Sequence, residues 1–247
     1  MLRKVKKILG YGVLAKDGDE VGEVQDFLFD DESWTVRYMV VDTGEWLPGR
    51  QVLLSPESFG SLDADNKKMH VELTRKSIEE SPGVEQDQPV SRQKEAELSE
   101  YFGWSPYWGS LSAAPVVYLP QAANQEKRSE AEKEAQKGDP NLRSAKEVEG
   151  YRIDANDGEI GHVEDFVLED TDWGIRYLIV DTRNWWPGKK VLVAPVWAED
   201  IHWSDARVKV NLVRDTIKQA PEFDPDEDIT KEYETALQEH YGWALDL

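Results

Sequence analysis

The chain contains one long internal repeat. Residues 2–104 and 142–243 align along nearly their whole length, with an offset of 140 residues as far as Gly18 and of 139 residues beyond Asp19, which has no counterpart. Solenoid repeats have periods of about 20 to 50 residues, whereas a unit of about 100 residues is the size of a small domain. We therefore predict two domains that each bury a core, at residues 1–104 and 142–247, joined by a segment at residues 105–141.

The amino-acid composition excludes several kinds of functional site and of binding partner. The chain has 247 residues and no cysteine, which excludes disulfides, thiolate metal sites and a cysteine nucleophile. Its formal net charge of -21 repels phosphate backbones and anionic lipid, so we expect no nucleic-acid partner. Proteins and cations remain as partners.

The sequence predicts a cytoplasmic protein without a transmembrane segment, because no apolar stretch reaches 18 residues and the start lacks the apolar region of a signal peptide. One alternative concerns the first nine residues. A short amphipathic helix there, with basic and apolar side chains, would allow peripheral membrane association. Its residues are Leu2, Arg3, Lys4, Val5, Lys6, Lys7, Ile8 and Leu9.

Short runs of β-branched and aromatic residues, separated by turn residues, predict a mainly β fold with short helices, of the α+β class. In the run at residues 36–43 both alternating sets of side chains are apolar, so this strand is expected to be central in its sheet. Five or six such strands in each repeat favour a small β-barrel or sandwich. The predicted strands of the first repeat are residues 11–15, 24–30, 36–43, 51–55 and 69–73.

Capping residues predict helices after the strands of each repeat. Thr74 begins a brief helix that Pro82 ends, and a longer helix runs from Ser91 to Gly103 and recurs at residues 230–242. In the joining segment, Tyr107 and Trp108 belong to an apolar part that we expect to pack or bind, whereas residues 121–138 are charged and predict a linker.

A family resemblance rests on motifs that both repeats contain, Gly-x-Val-x-Asp and Arg-Tyr-x-x-Val-Asp. They begin at Gly22 and Arg37 in the first repeat and at Gly161 and Arg176 in the second. With their flanking residues they resemble the PRC-barrel family, the small barrel also found in the cytoplasmic part of the photosynthetic reaction-centre H subunit and in a ribosome-maturation factor. The resemblance covers roughly the first 75 residues of each repeat. It implies two tandem PRC-type β-barrels, each followed by C-terminal helices, that act as adaptors against a protein partner.

The repeated charged residues point first to structural roles. The turn at Asp17 and Asp19 resembles the start of an EF-hand, but Val21 and Leu28 stand where oxygen ligands are needed, so we expect no metal there. Acids on a hairpin more often cap turns or form ion pairs than act as general acid and base. The residues shared by both repeats are Asp26/Asp165, Asp31/Asp170, Asp42/Asp181, Arg37/Arg176 and Arg75/Arg214.

The four histidines, His70, His162, His202 and His240, never match between the repeats, which argues against a duplicated metal or catalytic site. We therefore predict no cofactor and no catalytic residue.

Two aromatic loops are the predicted interaction surfaces, because exposed large aromatics beside Pro and Gly are enriched at binding hot spots. The alternative is that these side chains cover the barrel. The candidate binding residues, with the two from the joining segment, are Trp46, Leu47, Pro48, Trp185, Trp186, Pro187, Tyr107 and Trp108. Trp197 and Trp203, specific to the second repeat, are further candidates for contact with the joining segment.

The sequence leaves three functions open. The first is a noncatalytic protein-interaction module with an unidentified protein partner, with homodimerisation as a further option. The second is a peripheral subunit of a membrane electron-transfer assembly, by analogy with the reaction-centre subunit. The third is an enzyme whose site lies between the repeats.

Overall fold

The computed structural model describes residues 1–44, 47, 50–83, 90–108, 141–182 and 188–242. In chain order the elements of the first repeat are β1 (Leu2–Lys4), α1 (Val5–Ile8), β2 (Gly12–Leu14), β3 (Glu20–Asp30), β4 (Thr35–Asp42), β5 (Gln51–Leu54), β6 (Phe59–Asp63), β7 (Lys68–Val71), α2 (Arg75–Glu79) and α3 (Arg92–Phe102). Those of the second repeat are β8 (Leu142–Ser144), α4 (Ala145–Val148), β9 (Arg152–Ala155), β10 (Gly158–Glu169), β11 (Ile175–Asp181), β12 (Lys190–Val193), β13 (Ala198–His202), β14 (Arg207–Val210), α5 (Arg214–Gln219) and α6 (Lys231–Tyr241).

The strands form two sheets with the same order. One runs β5-β4-β3-β2-β7-β6 and the other β12-β11-β10-β9-β14-β13. The β2–β7 and β9–β14 pairs are parallel. The mainly β fold with short helices is therefore confirmed. In each order the two end strands do not pair within the described part of the chain, so backbone pairing leaves the sheets open there.

The prediction of a central strand is also confirmed, because β4 lies between β3 and β5. Apolar side chains from both of its faces are buried, which requires packing partners on each side of the sheet. These buried residues are Val36, Tyr38, Met39, Val40 and Val41.

The helices begin and end where the capping residues predict. The side chains of Thr74, Ser91 and Thr230 accept hydrogen bonds from backbone N–H groups in the first turns of α2, α3 and α6. Gly103 and Gly242 end the two longer helices in the left-handed conformation, with φ of 74° and 64°. Such caps satisfy backbone groups that the helix itself leaves unpaired.

Sequence reasoning missed the outer strands β6 and β13. In β6, Gly60, Ser61 and Asp63 interrupt the apolar alternation, and the strand is instead held by pairing with β7.

The structure does not bear out the alternative of an amphipathic helix over residues 2–9. Residues 2–4 form a strand, and only Val5–Ile8 are helical. Val5 and Ile8 are 3% and 1% exposed, so these apolar side chains are not available to a membrane surface. None of the helices formed by the described residues has the length and apolar character needed to cross a bilayer.

The contacts divide the chain into two compact units that draw on both repeats. The first unit comprises Met1–Leu9, Asp26–Tyr38 and Arg143–Leu247. The second comprises Gly10–Gln25 and Met39–Leu142. The first unit therefore contains the start of the chain, the hairpin tip of the first repeat and nearly all of the second repeat.

Candidate functional site

The start of each repeat, which we call its arm, lies on the sheet of the other repeat. Arm 1 is residues 1–9 and arm 2 is residues 142–149. Strand β1 of arm 1 pairs antiparallel with β10, so that Leu2 lies opposite Glu169 and Lys4 opposite Val167. Strand β8 of arm 2 pairs with β3 of the first repeat.

The repeated acids Asp26 and Asp165 cap the helices of these arms. Asp165 accepts hydrogen bonds from the backbone N–H groups of Lys6, at 3.1 Å, and Phe166, at 2.7 Å. Asp26 accepts the equivalent bonds from Lys146, at 3.1 Å, and Phe27, at 2.7 Å. Each acid therefore satisfies an N–H group in the first turn of a helix from the other repeat.

Burial shifts the pKa of both acids upward. Asp26 is 9% exposed and Asp165 is 6% exposed, and loss of hydration disfavours a charged carboxylate. Burial raises the pKa of Asp165 to about 6, against the lowering effect of the hydrogen bonds from the Phe166 and Lys6 N–H groups. The pKa of Asp26 is also raised by burial, with the hydrogen bonds from Ser144, Lys146 and Phe27 opposing the shift.

A second pair of repeated acids, Asp31 and Asp170, holds an arginine of each arm. Nε of Arg143 lies 2.7 Å from Oδ2 of Asp31, and Nε of Arg3 lies 2.9 Å from Oδ2 of Asp170. Burial raises the pKa of Asp31 to about 6, although Arg143 acts to lower it. Burial also acts to raise the pKa of Asp170, but hydrogen bonds from the N-terminal amine and Arg3 outweigh it, so this pKa is lowered.

The two repeats also meet at the tips of their central hairpins, which we call the junction. The N–H of Val36 donates to the carbonyl of Trp173 at 2.9 Å, and the N–H of Ile175 donates to that of Trp34 at 2.7 Å. Both tryptophans have left-handed backbones, with φ of 51° and 60°. This conformation costs a bulky residue about 1–3 kcal/mol, so the surrounding contacts must stabilise it.

An aromatic cluster supplies those contacts. Phe29 stacks on Trp34 at 5.5 Å between ring centroids and packs against Phe166 at 5.4 Å. Phe27 stacks on Trp173 at 6.0 Å. Sequence reasoning did not select Trp34 and Trp173, although a tryptophan at the same turn position in both repeats was a usable signal.

The other repeated charges also make local structural contacts. Asp42 accepts from the Gly44 N–H at 2.9 Å. The acids at the first turn of each repeat, Asp17 and Asp157, accept from the backbone N–H groups of Arg75 and Arg214 and so hold the starts of α2 and α5. The turn at Asp17 is the one that resembles the start of an EF-hand in sequence. Arg37 donates to Ser33 Oγ at 2.9 Å, and Arg176 pairs with Asp172.

Two of the histidines that were considered as metal ligands make other polar contacts. His202 lies 3.2 Å from Asp200, and His240 lies 2.7 Å from the Thr216 carbonyl. Within the ranges that the structure describes, no three His, Cys, Asp or Glu side chains are arranged to hold a metal ion.

Most residues of the two predicted interaction loops lie outside the part of the chain that the structure describes. These residues are Trp46, Pro48, Trp185, Trp186 and Pro187. Leu47 is partly exposed, and its carbonyl accepts hydrogen bonds from the Thr43 hydroxyl and the Arg50 N–H, both at 3.1 Å.

Tyr107 and Trp108, in the second unit, pack against α3. The Tyr107 hydroxyl donates to Oε2 of the fully buried Glu95 at 2.6 Å, and the Arg92 guanidinium lies 4.5 Å from the Trp108 ring centroid. Both aromatic side chains are half-buried. These two candidate binding residues thus have contacts that fix them on their own unit.

The second repeat exposes large apolar side chains where the first repeat has small or polar ones. Trp203 is 66% exposed, Val196 is 62% exposed and Val213 is 45% exposed. Trp203 follows β13 at the tip of the β13–β14 hairpin, whereas Trp197 is half-buried and packs near Tyr241, 6.4 Å between ring centroids. The residues of the first repeat at the three exposed positions are Ala64, Glu57 and Thr74.

Comparison with known proteins finds a family match within the first repeat. Residues 2–78 match the family model of the PRC-barrel domain. An uncharacterised protein of Deinococcus radiodurans is 33% identical over 81 residues, which are 33% of this chain. The match spans only 28% of the length of that relative. The family match at residues 2–78 includes arm 1 apart from Met1, and it includes the capping acid Asp26. Residues 2–78 of this chain are thus similar to the PRC-barrel domain.

Proposed function

We propose that this chain is a noncatalytic protein-interaction module made of two PRC-type repeats. The second repeat is included because its sheet has the same strand order as that of the first and its arm makes the reciprocal contacts. The repeated carboxylates, which could otherwise act as general acids or bases, instead cap helices and form ion pairs. Asp26, Asp165, Asp31 and Asp170 each bind an N–H group or an arginine of an arm.

The observation that carries the proposal is the exposure of Trp203. A tryptophan that is two-thirds exposed offers a large apolar surface to a partner, and only two side-chain torsions have to be fixed on binding. Tryptophan is accordingly enriched at interface hot spots. The equivalent residue of the first repeat is Ala64, so the hairpin fold does not require an aromatic side chain at this position.

Charge defines the kind of partner. Trp203 is close in sequence to Glu199, Asp200 and Asp205, and the whole chain has a net charge of -21. We infer a protein partner with an apolar pocket for the indole and basic side chains around that pocket, because complementary charge speeds association and selects the partner.

The test compares Trp203→Asp with Ala64→Asp, which place the same new charge at equivalent hairpin positions. Both residues are exposed, so both variants should retain the stability of the parent protein to within about 0.5 kcal/mol. Proteins captured by the unaltered chain are identified by mass spectrometry and their affinities measured with purified partner. We expect Trp203→Asp to weaken the partner's binding at least tenfold and Ala64→Asp to leave it unchanged. Equal binding by both variants would refute the proposal.

A further inference from the structure

The two repeats exchange their arms, and arm 1 attaches to the second repeat at a buried carboxylate. Asp165 is 6% exposed and accepts the N–H of Lys6, the second residue of the arm 1 helix. Its two oxygens lie 3.1 Å and 3.4 Å from that nitrogen, so arm 1 covers the carboxylate directly. Opening of arm 1 would return the carboxylate to water and remove this hydrogen bond.

The charged groups around Asp165 balance its negative charge poorly. The Lys6 ammonium pairs with Oε1 of Glu149 at 2.7 Å, and Glu149 itself repels the Asp165 carboxylate. Lys4 acts on Asp165 from β1, but its Nζ donates to backbone carbonyls. On the neighbouring strand β11 the residue opposite Asp165 is the apolar Ile179. The ionised form of Asp165 is therefore costly while arm 1 is closed.

A proton on Asp165 removes this cost in the closed arm, whereas the hydrated carboxylate of an open arm gains nothing comparable. Protonation therefore favours the closed state by linkage. We propose that arm 1 is a pH-responsive latch, which protonated Asp165 holds closed and ionised Asp165 lets open more often. Opening uncovers Val5 and Ile8, which are 3% and 1% exposed in the closed arm.

The pH range of the latch follows from the pKa of Asp165. Burial raises this pKa to about 6 in the closed arm, from 3.8 for an exposed aspartate. Opening should become more frequent as the pH rises from about 4 to about 6 and should stay constant above that range. The two pKa values give about a tenfold change in the opening equilibrium between pH 5.0 and pH 7.5. Residual hydration of the closed arm reduces the effect, so we expect about three- to tenfold.

The equivalent acid of arm 2 is under less strain, which is why the latch is assigned to arm 1. Asp26 accepts the Lys146 N–H at 3.1 Å and also a hydrogen bond from the Ser144 hydroxyl. The residue equivalent to Glu149 is Leu9, which brings no negative charge near Lys146. Both differences favour the ionised form of Asp26 over that of Asp165.

The test is hydrogen–deuterium exchange of the full chain at pH 5.0 and pH 7.5, followed by mass spectrometry of the peptides that contain arm 1 and β4. After correction for the intrinsic rates, the arm 1 peptide measures opening of the arm and the β4 peptide measures opening of the core. Asp165→Asn keeps an acceptor for the Lys6 N–H but cannot ionise. Asp26→Asn is the matched control, because it makes the same change at the cap of the other arm. Both variants keep all four histidines, whose titration is thus common to every sample.

In the unaltered chain we expect arm 1 to exchange at least about tenfold faster than β4 at pH 7.5, and its protection to rise about three- to tenfold at pH 5.0. Asp165→Asn should show the higher protection of arm 1 at both pH values, and Asp26→Asn should keep the response of the unaltered chain.

Three results would overturn the proposal. Arm 1 could exchange as slowly as β4, which would mean that it opens only with the whole fold. Its protection could be equal at the two pH values, or Asp165→Asn could retain the pH response. No partner is present in this measurement, so its outcome is independent of the interaction function proposed above.

Discussion

Replacing Asp165 with Asn should make the protein more stable at neutral pH. Asp165 is 6% exposed, and the charge that it holds there is costly because its pKa is about 6 when folded and 3.8 in the unfolded chain. At about 1.4 kcal/mol for each tenfold difference in proton affinity, these values correspond to about 3 kcal/mol. Partial hydration makes this an upper bound, so we expect a gain of about 1–3 kcal/mol at pH 8. The amide oxygen of Asn retains an acceptor for the N–H groups of Lys6 and Phe166.

The pH dependence follows from the sign of the shift. Because the folded pKa lies above the unfolded one, the ionised acid opposes folding at neutral pH. Protonation removes that cost as the pH falls through about 6, and the relief is complete below 3.8. The advantage of Asp165→Asn over the parent chain should therefore stay nearly constant from pH 8 to pH 7, shrink as the pH falls from about 6 towards 4, and disappear below the unfolded pKa of 3.8.

Urea unfolding of both proteins at pH 8, 7, 6, 5 and 4 measures this difference, and the effect of the large net charge cancels because the chains otherwise titrate alike. Asp63→Asn is the control with the opposite sign. Hydrogen bonds from Asn66 lower the pKa of Asp63, so its charge favours folding at neutral pH and that benefit is lost as the pH falls. The reasoning is refuted if Asp165→Asn is less stable than the parent at pH 8, or if the difference stays constant down to pH 5.

Two further comparisons use the repeat as its own control. In thermal unfolding, Arg143→Ala should destabilise the chain by about 1–3 kcal/mol, and by more than Arg3→Ala does. The reason is that Asp31 is 10% exposed and would lose its arginine, whereas Asp170 is 18% exposed and keeps its ion pair with the N-terminal amine. Equal losses of stability in the two variants would contradict this account of the arms. Gly161→Ala should cost more than about 3 kcal/mol, because its φ is 90° and a Cβ would collide with the Asp181 backbone, while Gly150→Ala, with φ of 86° and nothing near its Cβ, should cost only about 1–2 kcal/mol. Similar unfolding midpoints for these two glycine variants would show that the close approach of the strands is unimportant.

Local features of the fold were predictable from the sequence, whereas the exchange between repeats was not. The burial of both faces of β4 and the Ser91 and Gly103 caps depend on neighbouring residues, which the sequence displays directly. The cap formed by Asp165 depends on which helix reaches it. Its counterpart Asp26 is likewise followed by a phenylalanine, and no local pattern shows whether the helix that either acid caps comes from the same repeat or from the other.

The candidate site was predicted only in outline. The repeated acids were expected to have structural roles. In the structure, Asp26 and Asp165 accept hydrogen bonds from backbone N–H groups, and Asp31 and Asp170 form ion pairs with arginines. The strained tryptophans at the junction were missed because a left-handed backbone at a bulky residue is rare and runs against local preference. Trp203 was a candidate for contact with the joining segment, and its exposure now makes it the central residue of the proposed surface.

The exchange of arms has a practical consequence for anyone who divides this protein. A cut at residue 141 separates two sequences that look like complete copies of one domain. Each fragment would nevertheless have an arm without the strand with which it pairs, and a strand without the arm that packs on it. Val5 and Ile8, now 3% and 1% exposed, would meet water in the first fragment, and the apolar side chains of arm 2, Ala145 and Val148, would do so in the second. Each half therefore inherits part of its stability from sequence that lies more than a hundred residues away.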